Sequence, residues 1–157
     1  MKNSKILLIG AGGAARAIVT GFQKENAKEI TIVNRTKSKG DELAIFSSEI
    51  GLKSVSKSIE DMNSFDSKFD IVVNASSLGL RDEKNIIPSR LLDEQTTVYD
   101  IVYKPIKTDL INIAKEKKSR IIFGYEMLLG QAIRSFEIWL DKQAPYETMK
   151  RSILGGF

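Results

Sequence analysis

The sequence predicts an α/β fold: a mostly parallel six-stranded sheet with helices on both faces. Two observations carry this expectation. Short apolar runs of strand length alternate with longer segments of helical period along the chain. The first run ends in a cluster of small residues, Gly10-Ala11-Gly12-Gly13-Ala14-Ala15, that opens a helical segment.

The elements follow in order. Lys5 to Gly10 is predicted as a buried strand, because Ile6 to Ile9 is an unbroken apolar run. Gly13 to Lys24 is predicted as a helix, with Ala14, Ile18 and Phe22 on its apolar side. Glu29 to Asn34 reads as a second strand and Ser38 to Ile50 as a second helix. Lys53 to Val55 is a short third strand, Phe69 to Asn74 a fourth and Thr97 to Val102 a fifth. Thr108 to Lys118 is helical, and its Lys115-Glu116-Lys117-Lys118 end is expected to be solvated, since lysines complement the dipole there. Arg120 to Phe123 is a sixth strand. Glu126 to Leu140 is a long helix, and Pro145 opens a last one running toward Leu154. Pro88 and Pro105 fall where helices begin or loops turn. Gly155-Gly156 reads as a loose end. Strands separated by helices form repeated β-α-β units, hence the parallel sheet. The whole chain, 1–157, is read as one domain, including a C-terminal helical segment at about 126–154.

Composition narrows the function. Apolar residues make up 42% and charged residues 28%, the balance of a globular domain rather than a disordered one. The absence of cysteine and histidine removes disulfides, thiolate or imidazole metal ligands and Ser-His-Asp chemistry, so no metal site is expected. No apolar run reaches the roughly 18 residues of a membrane span, and the first run is too short for a signal peptide. A cytoplasmic protein is expected. The net charge of +4 suits an anionic small ligand. Nucleic acid is not expected, because no aromatic platform is interleaved with the basic residues.

The small-residue cluster fits G-x-G-x-x-(G/A), placed between a strand and a helix. Gly10 allows the tight turn, Gly12 lets backbone approach a pyrophosphate, and Ala15 lets helix pack close to strand. The helix start offers free N–H groups to the phosphates. The fold is therefore Rossmann-type and the ligand a dinucleotide. An acid at the end of the second strand would bind a ribose 2′-hydroxyl and select NAD. The chain instead has Asn34-Arg35-Thr36, with Lys37 and Lys39 close behind. Arg35 can pair with a 2′-phosphate and stack on adenine, so NADP is the expected cofactor.

Five ordered motifs then resemble the NADP-binding domain of shikimate dehydrogenase. They are Gly10–Ala14; Asn34–Thr36; Asn74-Ala75-Ser76-Ser77-Leu78-Gly79-Leu80; Tyr99-Asp100-Ile101-Val102-Tyr103-Lys104-Pro105 with Thr108; and Gly124, Met127-Leu128 and Gln131-Ala132 with Phe136 and Trp139. The resemblance runs from Lys5 to about Tyr146. It implies an oxidoreductase of aromatic amino-acid biosynthesis that reversibly reduces 3-dehydroshikimate to shikimate with NADPH. It implies that Gly10, Ala11, Gly12, Gly13 and Ala14 hold the pyrophosphate, and that Asn34, Arg35, Thr36 and Lys39 hold the 2′-phosphate end. Asn74, Ala75, Ser76 and Val102 would border the cofactor, Gly124 and Met127 would flank the nicotinamide, and Tyr103 and Gln131 would reach the substrate. Departures from the family pattern are Lys39 for arginine, Ser76 for threonine, Leu80 for methionine and Glu126 for glycine.

The family's N-terminal substrate domain, with its catalytic Lys and Asp, has no counterpart in these motifs. No catalytic residue is therefore assigned, and the chain alone is expected to bind NADP without turning substrate over. The helix carrying Gln131 has apolar residues on more than one side (Met127, Leu128, Leu129, Ile133, Phe136, Trp139, Leu140), which suits docking of the missing domain or a homodimer. Two other readings are a non-catalytic NADP-binding module and the cofactor domain of a related dehydrogenase such as glutamyl-tRNA reductase. The segments Tyr99–Pro105 and Met127–Gln131 argue against the latter.

Overall fold

A computed structural model describes residues 2–66, 68–80 and 85–155. The elements are β1 (Lys5–Ile9), α1 (Gly13–Lys24), β2 (Glu29–Val33), α2 (Lys37–Glu49), β3 (Ser54–Lys57), β4 (Ile71–Asn74), β5 (Thr97–Asp100), α3 (Asp109–Glu116), β6 (Arg120–Phe123), α4 (Gly124–Leu140) and α5 (Tyr146–Gly155). Two short 3-10 helices, Glu60–Ser64 and Ser89–Leu91, lie between strands. The six strands form one sheet of order β3-β2-β1-β4-β5-β6, and every adjacent pair is parallel. The order reverses between β1 and β4, which opens a crevice at their carboxyl ends, where ligands of such sheets bind.

Strand alternation builds two cores from one apolar run. Ile6 and Leu8 face α1 and α2, where they meet Ala15, Val19, Phe22 and Leu43. Leu7 and Ile9 face the other way and meet Met62, Leu91, Leu110 and Ala114. Each fully buried Leu or Ile contributes about 1.5–3 kcal/mol. Helices thus cover both faces of the sheet, as expected.

Several bounds differ from the sequence reading. β1, β2 and β5 end at Ile9, Val33 and Asp100, before the predicted Gly10, Asn34 and Val102. The residues that follow leave the sheet to form the loops of its carboxyl edge. β3 is shifted to Ser54–Lys57 and β4 starts only at Ile71. β3 is an edge strand of alternating half-buried and exposed residues, so no apolar run marks it. α2 starts at Lys37 and ends at Glu49, and α3 is trimmed to Asp109–Glu116 by the Thr108 cap, whose Oγ1 accepts from Ile111 N at 3.3 Å. α4 begins at Gly124, two residues early, directly after β6; Glu126 Oε1 accepts from Phe123 N at 2.9 Å and caps it. α5 includes Gly155, and Gly156 lies outside the described residues. Three- to five-residue 3-10 helices carry no readable period, and neither was expected. Lys117 and Lys118 are exposed at the end of α3, as read from sequence.

One buried acid ties the carboxyl ends of β4 and β5 together. Asp100 is fully buried. Its Oδ1 accepts from Asn74 Nδ2 at 2.9 Å and from Val102 N at 3.1 Å, and its Oδ2 accepts from Thr108 Oγ1 at 2.6 Å. Burial pushes the Asp100 carboxyl above the usual range, against the opposing pull of its hydrogen bonds to Thr108, Val102 and Asn74. The folded state therefore holds this proton more tightly than the unfolded chain does. The contribution of Asp100 to stability is present below the ordinary carboxylate pKa of about 4 and is lost as pH rises through the raised folded value. Asp100→Asn removes that slope and leaves the other carboxylates unchanged. In urea unfolding, the wild-type advantage over Asp100→Asn should be larger at pH 4 than at pH 7. An equal or reversed difference would show that Asp100 titrates in the fold as it does unfolded.

Candidate cofactor cleft

The cleft at the switch point is built from backbone first. Gly10 follows β1 with φ +110°, in the region that favours glycine. A Cβ there would lie 2.6 Å from the carbonyl oxygen of Ala75, so the turn after β1 touches the loop after β4 directly. Gly10 N donates to Val33 O at 2.8 Å and Ala75 N to Ile9 O at 2.7 Å, which fixes β2, β1 and β4 at their carboxyl ends. A second close approach occurs at the far side of the sheet. A Cβ on Gly124 would fall 2.4 Å from Ile101 O and 2.6 Å from Val102 O, which seats the start of α4 on the segment after β5.

Gly12 and Gly13 differ from both. A Cβ on either would meet nothing within 4 Å, so no protein atom requires glycine there. Gly12 is the N-cap of α1, no side chain caps it, and the first turn holds no acidic residue. The N–H groups of that turn therefore lack a side-chain acceptor and sit at the positive end of the helix dipole. Open space beside uncapped amides is the cradle a pyrophosphate needs. Arg16 lies one turn on, its guanidinium 3.6 Å from the centre of the Phe46 ring, and clamps α1 against α2.

A cleft of about 680 Å³ runs from this cradle along the sheet edge. Its described lining contains Gly10, Ala11, Gly12, Gly13, Ala14, Asn34, Arg35, Ala75 and Ser76, nine of the residues expected from sequence. Asn34 Nδ2 donates to Thr36 O at 2.8 Å and braces the loop that presents Arg35. Thr36 is the N-cap of α2, and no side chain caps that helix either. Lys39 is exposed in its first turn. Lys37 is committed to an ion pair with Asp41.

The remaining expected residues fall elsewhere. The Asn74 side chain is turned inward, because its amide is spent on Asp100 and on Leu78 O at 2.9 Å. Its Oδ1 accepts from Ser76 Oγ at 2.6 Å, so Asn74 shapes the cleft without lining it. Val102 is buried beside Gly124, and Met127 is half-buried in the first turn of α4. Tyr103 and Gln131 are exposed, and neither belongs to the cleft lining. The cleft also contains residues to which no role was given: Ile59, Ser77, Leu78, Ile86 and Ile101. Ser77, Leu78 and Ile101 lie inside motifs quoted from the sequence. Ile59 and Ile86 lie in loops with no motif or period to mark them.

Comparison with known proteins agrees with this geometry. The family model described as Shikimate / quinate 5-dehydrogenase matches residues 1–116, and that of the Shikimate 5'-dehydrogenase C-terminal domain matches 124–154. The NADP(+) shikimate dehydrogenase of Nitrosopumilus maritimus is 52% identical over all 157 residues, which make up 58% of that protein. A shikimate 5-dehydrogenase from Listeria monocytogenes, solved with shikimate and NAD, superposes with TM-score 0.87 at 30% identity, over 97% of this chain and 56% of that one. A shikimate dehydrogenase solved with NADP+ superposes with TM-score 0.84 at 31% identity, over 99% of this chain and 55% of that one. The chain therefore spans a little over half the length of the relatives it matches. A family model that covers most of the chain, together with solved structures of that family on the same fold, places this chain in the shikimate / quinate 5-dehydrogenase family.

Proposed function

We propose that this chain is the NADP-binding domain of a shikimate dehydrogenase, which reversibly reduces 3-dehydroshikimate to shikimate with NADPH. The observation that carries the cofactor reading is the pairing of the open Gly12–Gly13 cradle with Arg35 in one cleft. The amides of α1 take the pyrophosphate. Asn34, Arg35, Thr36 and Lys39 take the 2′-phosphate, where two uncapped helix starts add favourable dipole ends. Ala75 and Ser76 border the chain of the cofactor. Val102, Gly124 and Met127 gather where β5 and β6 end, the place for the nicotinamide, with Tyr103 and Gln131 beyond it for the substrate.

When bound, the nicotinamide supplies the hydride. The residues of this chain grip and orient. Among the described lining residues there is no carboxyl, amine, phenol or imidazole group to relay a proton. Asp100 is sealed in its hydrogen-bond network, so it positions the loops after β4 and β5 rather than moving a proton. Proton transfer then falls to groups outside this cleft, as the family's substrate domain would supply. Relatives named for NADP(+) and a cationic 2′-phosphate end both favour this reading over a generic dinucleotide module. The enzyme reading places the protein in the cytoplasm and in aromatic amino-acid biosynthesis. No helix among the described residues is long and apolar enough to cross a membrane.

The substrate side supports association with another body. In α4, only Gly124 and Leu129 are buried among the described residues, while Ile138, Trp139 and Leu140 are 63%, 79% and 53% exposed. Three large apolar side chains exposed in the last turn of one helix favour burial. They fit a substrate domain, and in the isolated chain a second copy.

Two measurements test these readings. Arg35→Ala should weaken NADP binding by about 10- to 100-fold, the worth of a charge-assisted phosphate contact, and NAD binding by no more than about 3-fold. Equal losses for both would refute the 2′-phosphate assignment. In the same assay the wild-type chain with shikimate should bind NADP without forming NADPH; turnover would place a proton-transfer group in this chain. Sedimentation of the isolated chain should show a dimer that Trp139→Glu converts to monomer. A wild-type monomer at high concentration would exclude the homodimer.

A further inference from the structure

The helix starts at the cleft differ in charge. α1 and α2, the two assigned above to the phosphates, carry no acidic residue in their first turns, and neither has a side-chain cap. α4 does carry one: Glu126 stands in its first turn. An acid at a helix start is ordinary in itself, because it caps amides and offsets the dipole. This one stands beside a cleft whose described lining contains no acidic residue.

Three observations put the Glu126 charge next to the half of the cleft remote from Arg35. Gly124 is packed against the carbonyls of Ile101 and Val102 with no space for a Cβ, and Ile101 lines the cleft. Glu126 Oε1 accepts from Phe123 N at 2.9 Å, which folds the carboxylate back over the turn that carries Gly124. Tyr99 packs on the same face of the sheet as Ile101, two residues before it, and its hydroxyl pKa is pushed up to about 12, first by burial and then by the Glu126 charge. Glu126 is exposed and forms no ion pair among the described residues, so no lysine or arginine contact neutralises it.

A dinucleotide with its pyrophosphate on α1 and its 2′-phosphate at Arg35 sends its other half away from β2, toward Ile101 and the start of α4. That half ends in the nicotinamide ring, which is cationic when oxidised and neutral when reduced. We infer that Glu126 discriminates between the two redox forms of the cofactor: its carboxylate strengthens the binding of NADP+ and leaves that of NADPH nearly unaffected. This rests on the NADP reading above. The cleft is then polarised from end to end, cationic at Arg35 where the cofactor is anionic, and anionic at Glu126 where the oxidised ring is positive. Glu126 is also a departure from the family pattern, so this discrimination belongs to the side chain present here and not to the glycine turn or the fold.

The test is calorimetric titration of the 157-residue chain with NADP+ and with NADPH, read as the ratio of the two dissociation constants. Glu126→Gln removes the charge and keeps an acceptor for Phe123 N. It should weaken NADP+ about 3- to 10-fold, the worth of one exposed carboxylate near one cation, and NADPH by less than about 2-fold. Glu137→Gln, about three turns along the same helix, should leave the wild-type ratio in place. Salt provides a check that needs no variant: at about 1 M, where charges are screened within about 3 Å, the wild-type ratio should approach that of Glu126→Gln. A ratio that Glu126→Gln leaves unchanged, that Glu137→Gln shifts equally, or that salt does not move overturns the discrimination and leaves the dinucleotide reading standing. Failure of the wild-type chain to bind either form overturns both.

Discussion

The cleft exists because backbone meets backbone at Gly10. The turn after β1 and the loop after β4 approach so closely that a Cβ would overlap the Ala75 carbonyl, and φ +110° excludes most side chains on its own. That approach closes the crevice left where the strand order reverses and directs the chain into α1 with its first amides uncapped. Gly124 repeats the device on the other side of the sheet, against Ile101 and Val102. The two contacts set the positions of the loops after β1, β4, β5 and β6, and these carry the residues proposed for the cofactor other than the Asn34–Lys39 group that follows β2.

Asp100 does for the interior what the glycines do for the edge. A buried carboxylate is unfavourable unless its hydrogen bonds are made, and here Asn74, Val102 and Thr108 make them. The same bonds orient Asn74, which in turn accepts from Ser76 and donates to Leu78 O. One polar cluster thus fixes the floor of the cleft, which leaves the lining itself mostly glycine, alanine and aliphatic. Such a lining suits a site that holds a large cofactor and leaves proton chemistry to groups from elsewhere.

Much of the cleft was legible in the sequence because its parts are local. A strand, a glycine turn and a helix start are contiguous, so Gly10 to Ala15 announce their geometry in six letters. Arg35 is legible for a similar reason: it ends a strand at a fixed distance from the turn. Asn74 was legible as a cleft residue but not in its role, because its motif does not say that its amide turns inward to Asp100, 26 residues away. β3 was misplaced by a residue or more, since an edge strand half-exposed on alternate residues has no apolar run.

The sequence by itself determined the alternation of strands and helices, the glycine turn that opens α1 and the positive charge that follows β2, because each depends on neighbours within one β-α unit. Tertiary structure alone decided which aliphatic residues face the cleft. Ile59 and Ile86 lie 27 residues apart in loops without period; they line one cleft because Arg90 ties one segment to the other and both rest on the α3 core. A side chain's periodicity records which face of its own element is buried. It carries no record of a wall assembled from separate loops.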